Sequence, residues 1–499
     1  MLKLLSFETA KKAWWLFLFP LSFVFHGNNE NFGLIPFSIS LALFFKYTLL
    51  CFSFFLLSLL VFRTAQKAIL FTVFLSLLFF YFGNLHDFLK TTFPLSSISS
   101  YRVLLPLLFI LTTGVFFVLF FYKSGFNTLI RYFKNLYFLL LLLEFLSLGR
   151  HLIMPEATFL HKSSIGLIKQ CDTARKPDIF FIVFDEYASS KSLKQDLGFD
   201  NSGLEDSLKA GNFFVSTQSR SNYNVTPFSL ASTFMMDYLQ ADLKNTAVTS
   251  KLFLQAMETF KHNHLTLFFK SQGYDLKNYG GFELANTTLQ TKLYFPNAHK
   301  KQIDDQTLSS RIIRDIGWKF NRLGQIELIE QENPKGYHLY RNSYNWEKLV
   351  EELSSADNKV PRFVYVHLML PHEPFYLNAD GSLAPDSSVL YPLNPRPPYI
   401  QQVRYANKLI MKLIGLANKK GKRERVVIIE GDHGYKFFSE AEQPIKTFDN
   451  LNAYYFSDGV NHSLYDGISP VNTFRVILNK YFCQSFSLLR DSSVYLYSP

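Results

Sequence analysis

Long apolar runs fill the first 150 residues, and they restrict the fold more than any other feature of the chain. A helix that crosses a bilayer needs about 20 mostly apolar residues. Five stretches approach this: roughly 11–26, 36–62, 67–84, 103–122 and 134–153. The first, AWWLFLFPLSFVF, is short, contains Pro20 and follows Lys3, Lys11 and Lys12. A signal-peptide core is its rival reading, and the runs behind it favour a retained anchor. Lys46 and Glu144 sit inside apolar runs, where an ionisable side chain is a functional candidate. Snorkelling or a bundle-facing position is the plainer account of both.

Charge gives the topology. Residues 1–150 hold 12 Lys and Arg against 4 Asp and Glu, which leaves only +3 of the formal +11 for the remainder. A nucleic-acid binder carries its basic excess on a soluble surface; here the excess lies between apolar runs, so nucleic acid is not an expected partner. Lys3, Lys11, Lys12, Arg63, Lys67, Lys123, Arg131 and Lys134 fall on one side of the spans, whereas the loops 27–35 and 85–102 carry only Lys90 and Arg102. Basic loops stay in the cytoplasm. Five crossings from a cytoplasmic N-terminus deliver residue 155 onward to the outer face. If the first run does not cross, the remaining loops still impose that orientation.

From about residue 176 the pattern changes. DIFFIVF (178–184), RFVYVHLML (362–370) and RVVIIE (425–430) are apolar runs of strand length, suited to strands buried on both faces. Helical stretches alternate with them at 201–210, 227–240, 249–270, 301–329, 341–356 and 399–418. This alternation predicts an α/β domain with a mainly parallel sheet. The proline-rich stretch 377–398 reads as a long surface loop. The expected organisation is an anchor of about five transmembrane helices (1–155), a linker (156–175) and an extracytoplasmic domain (176–499).

In open α/β sheets ligands gather beyond the carboxyl ends of the strands. Here the three runs lead into Asp185-Glu186, into Pro371-His372-Glu373-Pro374 and into Gly431-Asp432-His433-Gly434. Asp185, Asp432 and His433 supply two oxygens and one nitrogen, a set suited to zinc or manganese, with Glu186 as a further candidate. Thr226, in SNYNVTPFSLAST, opens a helix with proline behind it, which is how a hydroxyl cap looks. A hydroxyl coordinated to a divalent ion is also an activated nucleophile. His372 would then bind or protonate the leaving group. Cys171 and Cys483 flank the soluble part and either pair or remain free; no close-spaced cysteine metal site exists.

The order PDIFFIVFDE, NVTPFSLAS, LPHEPF and GDHGY resembles the sulfatase-like branch of the alkaline phosphatase superfamily. Within it, the chain is most similar to membrane-anchored phosphoethanolamine transferases and to phosphoglycerol transferases of the lipoteichoic acid synthase type. The similarity runs over about residues 176–482, including ISPVNTFRVILNKYF (468–482). It implies five spans before an extracytoplasmic catalytic domain on a bacterial cytoplasmic (inner) membrane. It implies metal ligation by Asp185, Asp432 and His433, phosphorylation of Thr226, a substrate-side role for His372, and His462 as a further site histidine. A phospholipid would be the donor and a lipid-linked sugar or glycan the acceptor; water as acceptor would make the chain a phosphoesterase or sulfuric ester hydrolase instead. Two departures stand out. No Cys or Ser has the C-x-P-x-R or S-x-P-x-R context that sulfatases convert to formylglycine, and one disulfide at most is available to the soluble domain.

Overall fold

A computed structural model describes residues 7–497 apart from 95–96, 124, 155–158, 161–174, 241–242, 286, 292, 296, 323–333, 356–358, 385–393 and 420. The chain divides into two compact units, Met1–Thr158 with Asn297–Glu330 and Phe159–Pro296 with Gln331–Pro499. The expected linker lies almost wholly outside the described residues, as do Cys171 and the middle of the proline-rich loop. Cys483 is disulfide-bonded, and Cys51 is a buried free thiol.

In the first unit, Phe37–Phe62, Tyr101–Phe121 and Asn127–Ile153 are long and apolar enough to cross a membrane. The pair Ala65–Phe80 and Phe82–Thr92, bent by 55°, makes up to four. The run read as the first span is broken into Phe7–Ala13, a 3-10 turn Trp14–Phe17 and Leu18–Glu30. The pieces follow one another without a gap, and the backbone at both junctions is right-handed helical. Phe109, Phe117 and Phe121 point outward, as on a lipid-facing helix. Inside, Phe23 and Tyr47 meet Phe80 at 4.6 and 5.1 Å between ring centres. Glu144 has both oxygens engaged, by His26 Nδ1 and by Asn29 Nδ2, each at 2.8 Å. It is a bundle-facing residue. Lys46 is exposed, with its ammonium 4.9 Å from the Tyr47 ring centre.

Residues 298–322 also belong to this unit. Where the expected helix 301–329 lies within the described residues, it is Ala298–Asp304 followed by Leu308–Arg322; 323–329 lie outside them. Ile303 joins the buried cluster of Leu43, Tyr47 and Phe80. Arg311 Nη1 donates to Asp87 at 2.8 Å, and the Tyr101 hydroxyl donates to Asp315 at 2.6 Å. Periodicity reveals helices here but carries no information about which unit they pack on.

The second unit is built on strands β1 (Asp178–Phe184), β2 (Phe213–Val215), β3 (Thr246–Ala247), β4 (Asp275–Tyr279), β5 (Arg362–Leu368), β6 (Arg425–Glu430), β7 (Asn452–Phe456) and β8 (Leu496–Tyr497). Six form one sheet in the order β2-β7-β6-β1-β5-β4, while β3 and β8 pair separately. β6, β1, β5 and β4 are parallel; β7 runs antiparallel to β6 and β2. Side chains alternate along a strand, so Ile179, Phe181 and Val183 of β1 enter one core with Phe234 and Phe474. Phe180, Ile182 and Phe184 enter the other, under Leu409 and Leu413 of helix Arg396–Ala417. Both faces are covered, which is why these strands read as continuous apolar runs.

The helix expected over 249–270 is two, Ser250–Lys261 and His264–Ser271. Asn263 makes the break: its Oδ1 accepts from the Thr266 N–H at 2.8 Å, and its Nδ2 donates to the Phe260 carbonyl at 2.7 Å. Asn263→Ala removes a buried N-cap and should cost about 1–2 kcal/mol. Thermal denaturation reads this as a lower Tm, and an unchanged Tm contradicts it.

Candidate active site

Because β6, β1 and β5 are adjacent and parallel, their carboxyl ends release Asp432-His433, Asp185 and the His372 turn at one edge. Asp185 and Asp432 are buried. Asp185 Oδ2 meets His367 Nε2 at 2.9 Å, while Asp432 Oδ1 accepts from the Glu186 N–H at 3.0 Å. The other oxygen of each, Asp185 Oδ1 and Asp432 Oδ2, is buried without a hydrogen-bond partner. His433 Nε2 lies 3.9 Å from the first and 3.7 Å from the second. Its Nδ1 is 2.8 Å from the Gly434 carbonyl, which only accepts. In the neutral ring the hydrogen is therefore on Nδ1, and Nε2 offers a lone pair. Thr226 Oγ1 stands 3.5 Å from that Nε2. Two orphaned carboxylate oxygens facing an imidazole lone pair are the donor set a divalent cation needs. Asp185, His367 and Asp432 likewise place ligand-capable atoms within 4.8 Å of one another.

One detail of the sequence reading is corrected. Thr226 is not the helix cap: Val225 holds that position in extended backbone, and no side chain makes a capping bond. Pro227, second in the helix, has no N–H to offer, which leaves less for a cap to satisfy. The helix ends at Met235, earlier than expected, with Met236 in the left-handed region. The Thr226 hydroxyl is thus turned to the site and relieved of a structural task. Ser229, one turn on, fixes the helix to the pair by donating to the Asp432 carbonyl at 2.6 Å.

Sequence reasoning missed His367 and Lys436. His367 lies within β5, wedged between Asp185 and the Tyr365 hydroxyl, which is 3.0 Å from its Nδ1. A lone histidine in an otherwise apolar strand was its only signal. Lys436 follows the Gly-Asp-His-Gly turn and places its Nζ 2.9 Å from His372 Nε2 and 3.5 Å from Glu186 Oε2. His372 Nδ1 is held by the Glu373 carbonyl at 2.5 Å. Both ring nitrogens are therefore occupied, and the cation beside His372 is Lys436. His462 is exposed, unlike buried Asp185, Asp432 and His433.

Burial sets the protonation pattern. It would raise Asp185, but His372, His367 and His433 hold that carboxyl below the usual range. Burial and the Asp185 charge push Asp432 up. Burial would lower His433, yet Asp432, Asp185 and Glu186 hold it up. Burial raises Glu186 to about 7, and burial with Lys436 lowers His372 to about 3. Such opposed shifts within one cleft are characteristic of functional sites.

A family model described as Sulfatase matches residues 177–474, more than half of the chain and all three strand-end motifs. The chain belongs to the sulfatase family. No curated protein matches it. Among solved structures, the sulfatase-family chain is similar to the integral membrane lipooligosaccharide phosphoethanolamine transferase EptA from Neisseria meningitidis. The identity is 12% and the TM-score 0.39, over 92% of this chain and 95% of that one. It is also similar to the periplasmic domain of phosphoethanolamine transferase EptC from Campylobacter jejuni, at 14% identity and a TM-score of 0.38, over 64% and 92%. The zinc complex of the corresponding Escherichia coli EcEptC domain gives 11% and 0.38, over 63% and 84%.

The sulfatase-family site opens into a cavity of about 430 Å³ lined by Asp185, Thr226, His372, His433 and Lys436 together with several aromatic side chains. The glycines bracketing Asp432-His433 are dictated by close backbone approach. A Cβ on Gly431 would stand 2.4 Å from the Tyr187 carbonyl oxygen, and one on Gly434 2.5 Å from that of Asp449. Backbone cannot yield cheaply there, so Gly431→Ala should displace Asp432 and cost roughly 2–3 kcal/mol. Thermal melts with a metal-binding assay check this; wild-type values in both contradict it.

Proposed function

We propose that the protein is a metal-dependent phosphotransferase on the outer face of a bacterial cytoplasmic membrane. It moves a phospholipid headgroup, phosphoethanolamine or phosphoglycerol, to a lipid-linked sugar or cell-envelope glycan. The observation that carries this reading is the Thr226 hydroxyl: uncapped, facing the cavity, and 3.5 Å from His433 Nε2 beside two unpartnered carboxylate oxygens. Asp185, Asp432, His433 and Thr226 would hold zinc or manganese, with Glu186 behind them. When bound, the ion supplies charge neutralisation and a lowered hydroxyl pKa.

The residues of the chain then have distinct tasks. Thr226 Oγ attacks phosphorus and the bond to the diacylglycerol oxygen breaks, leaving the headgroup phosphate esterified to Thr226; the diacylglycerol oxygen leaves with the threonine proton. The acceptor hydroxyl next attacks phosphorus, loses its proton, and restores the Thr226 hydroxyl. His372 and Lys436 face the cavity together, and the Lys436 ammonium can hydrogen-bond a leaving or non-bridging oxygen. A threonine without the sulfatase arginine context disfavours formylglycine chemistry.

Membership in the sulfatase family favours a second reading, in which water is the acceptor. Incubation with phospholipid, with and without glycan, separates the two. Headgroup-modified glycan with free diacylglycerol supports transfer; free phosphorylated headgroup alone, whatever the acceptor supplied, supports hydrolysis.

A further inference from the structure

The cavity is divided by chemistry. The site residues already described, Asp185, His372, His433 and Lys436, line it. Phe253, Phe282, Phe295 and Met369 also line it and form a wall without a charged group. The aromatic part of that wall is continuous: Phe253 and Phe295 meet edge-to-face at 5.1 Å, and Phe282 stands 6.0 Å from Phe295. Phe282 is buried whereas Phe295 is 41% exposed, so the apolar surface runs from the interior to the rim. A soluble sugar ester would find no polar partner on these side chains. A molecule anionic at one end and apolar at the other satisfies both halves.

On these grounds, and resting on the phosphotransferase reading, we infer that the Phe253–Phe282–Phe295 wall carries the acyl-glycerol part of a diacyl phospholipid donor away from Thr226. A cavity of about 430 Å³ takes a headgroup and the adjoining carbons, so the chains continue past Phe295. The wall selects donors by their apolar part, and Lys436 with the carboxylate–imidazole set selects the phosphate.

The test uses full-length protein in lipid nanodiscs and two phosphatidylglycerol donors, one dihexanoyl and one dioleoyl. Phe295→Ser should lower the ratio of dioleoyl to dihexanoyl kcat/KM about tenfold, the loss expected when one phenylalanine contact is removed; Phe253→Ser should lower it in the same direction. An unmoved ratio overturns the inference. A second readout is independent of turnover. A phosphatidylglycerol with a diazirine on the first acyl carbons should photo-crosslink to peptides holding Phe253 or Phe282–Phe295 in the Thr226→Ala protein. Crosslinks confined to the membrane helices overturn it. Crosslinks on the wall without headgroup transfer by wild type would leave the wall in place and remove the phosphotransferase reading; transfer with an unmoved ratio would do the reverse.

Discussion

Thr226→Ala should abolish turnover of phospholipid, by at least about 10³-fold, while the protein folds as before and binds metal through its remaining ligands. The direction follows from position. Thr226 is half-buried, its hydroxyl makes no capping bond, and the helix behind it is fixed by Ser229 and by a buried apolar face. Removing one hydroxyl therefore takes away a reactive atom and little packing. Circular dichroism and metal analysis should match wild type, and activity should fall to background. Thr226→Ser, which keeps the oxygen, should recover part of it. Substantial activity in the alanine variant would remove Thr226 from the chemistry.

Asp432→Asn should reduce affinity for a divalent metal by at least about a hundredfold, and should do so without unfolding the protein. Asn retains an oxygen that can accept from the Glu186 N–H, the bond Asp432 Oδ1 now makes. What disappears is one of two buried carboxylates whose free oxygens converge. Without metal, relief of that like-charge repulsion should make the variant slightly more stable than wild type. With metal at about 100 times Kd, wild type gains about 2.7 kcal/mol by mass action, and the variant does not. Thermal melts with and without metal separate these cases. An equal metal-induced rise in Tm for both proteins would exclude Asp432 as a ligand.

The fold was legible where the pattern is local. β1, β5 and β6 are buried on both faces and read as apolar runs, and the placement of Asp185, His372, Asp432 and His433 follows from parallel order alone. β2, β4 and β7 were missed. β4 (DLKNY) begins at an exposed residue on a sheet edge, and β2 has only three residues. The break at Asn263 is side-chain capping within an unbroken apolar period, and periodicity does not register it. Lys436 and His367 owe their roles to neighbours 64 and 182 residues away, which no spacing rule reaches. The assignment of 298–322 to the membrane unit depends likewise on Arg311 meeting Asp87 across 224 residues.

The most direct test is mass spectrometry of the full-length protein after incubation with phospholipid and metal. The account predicts added mass on the peptide containing Thr226, equal to phosphoethanolamine or phosphoglycerol according to the donor, and its loss when a glycan acceptor is supplied. An unmodified Thr226 peptide with the lipid consumed, or modification at another residue, would contradict it.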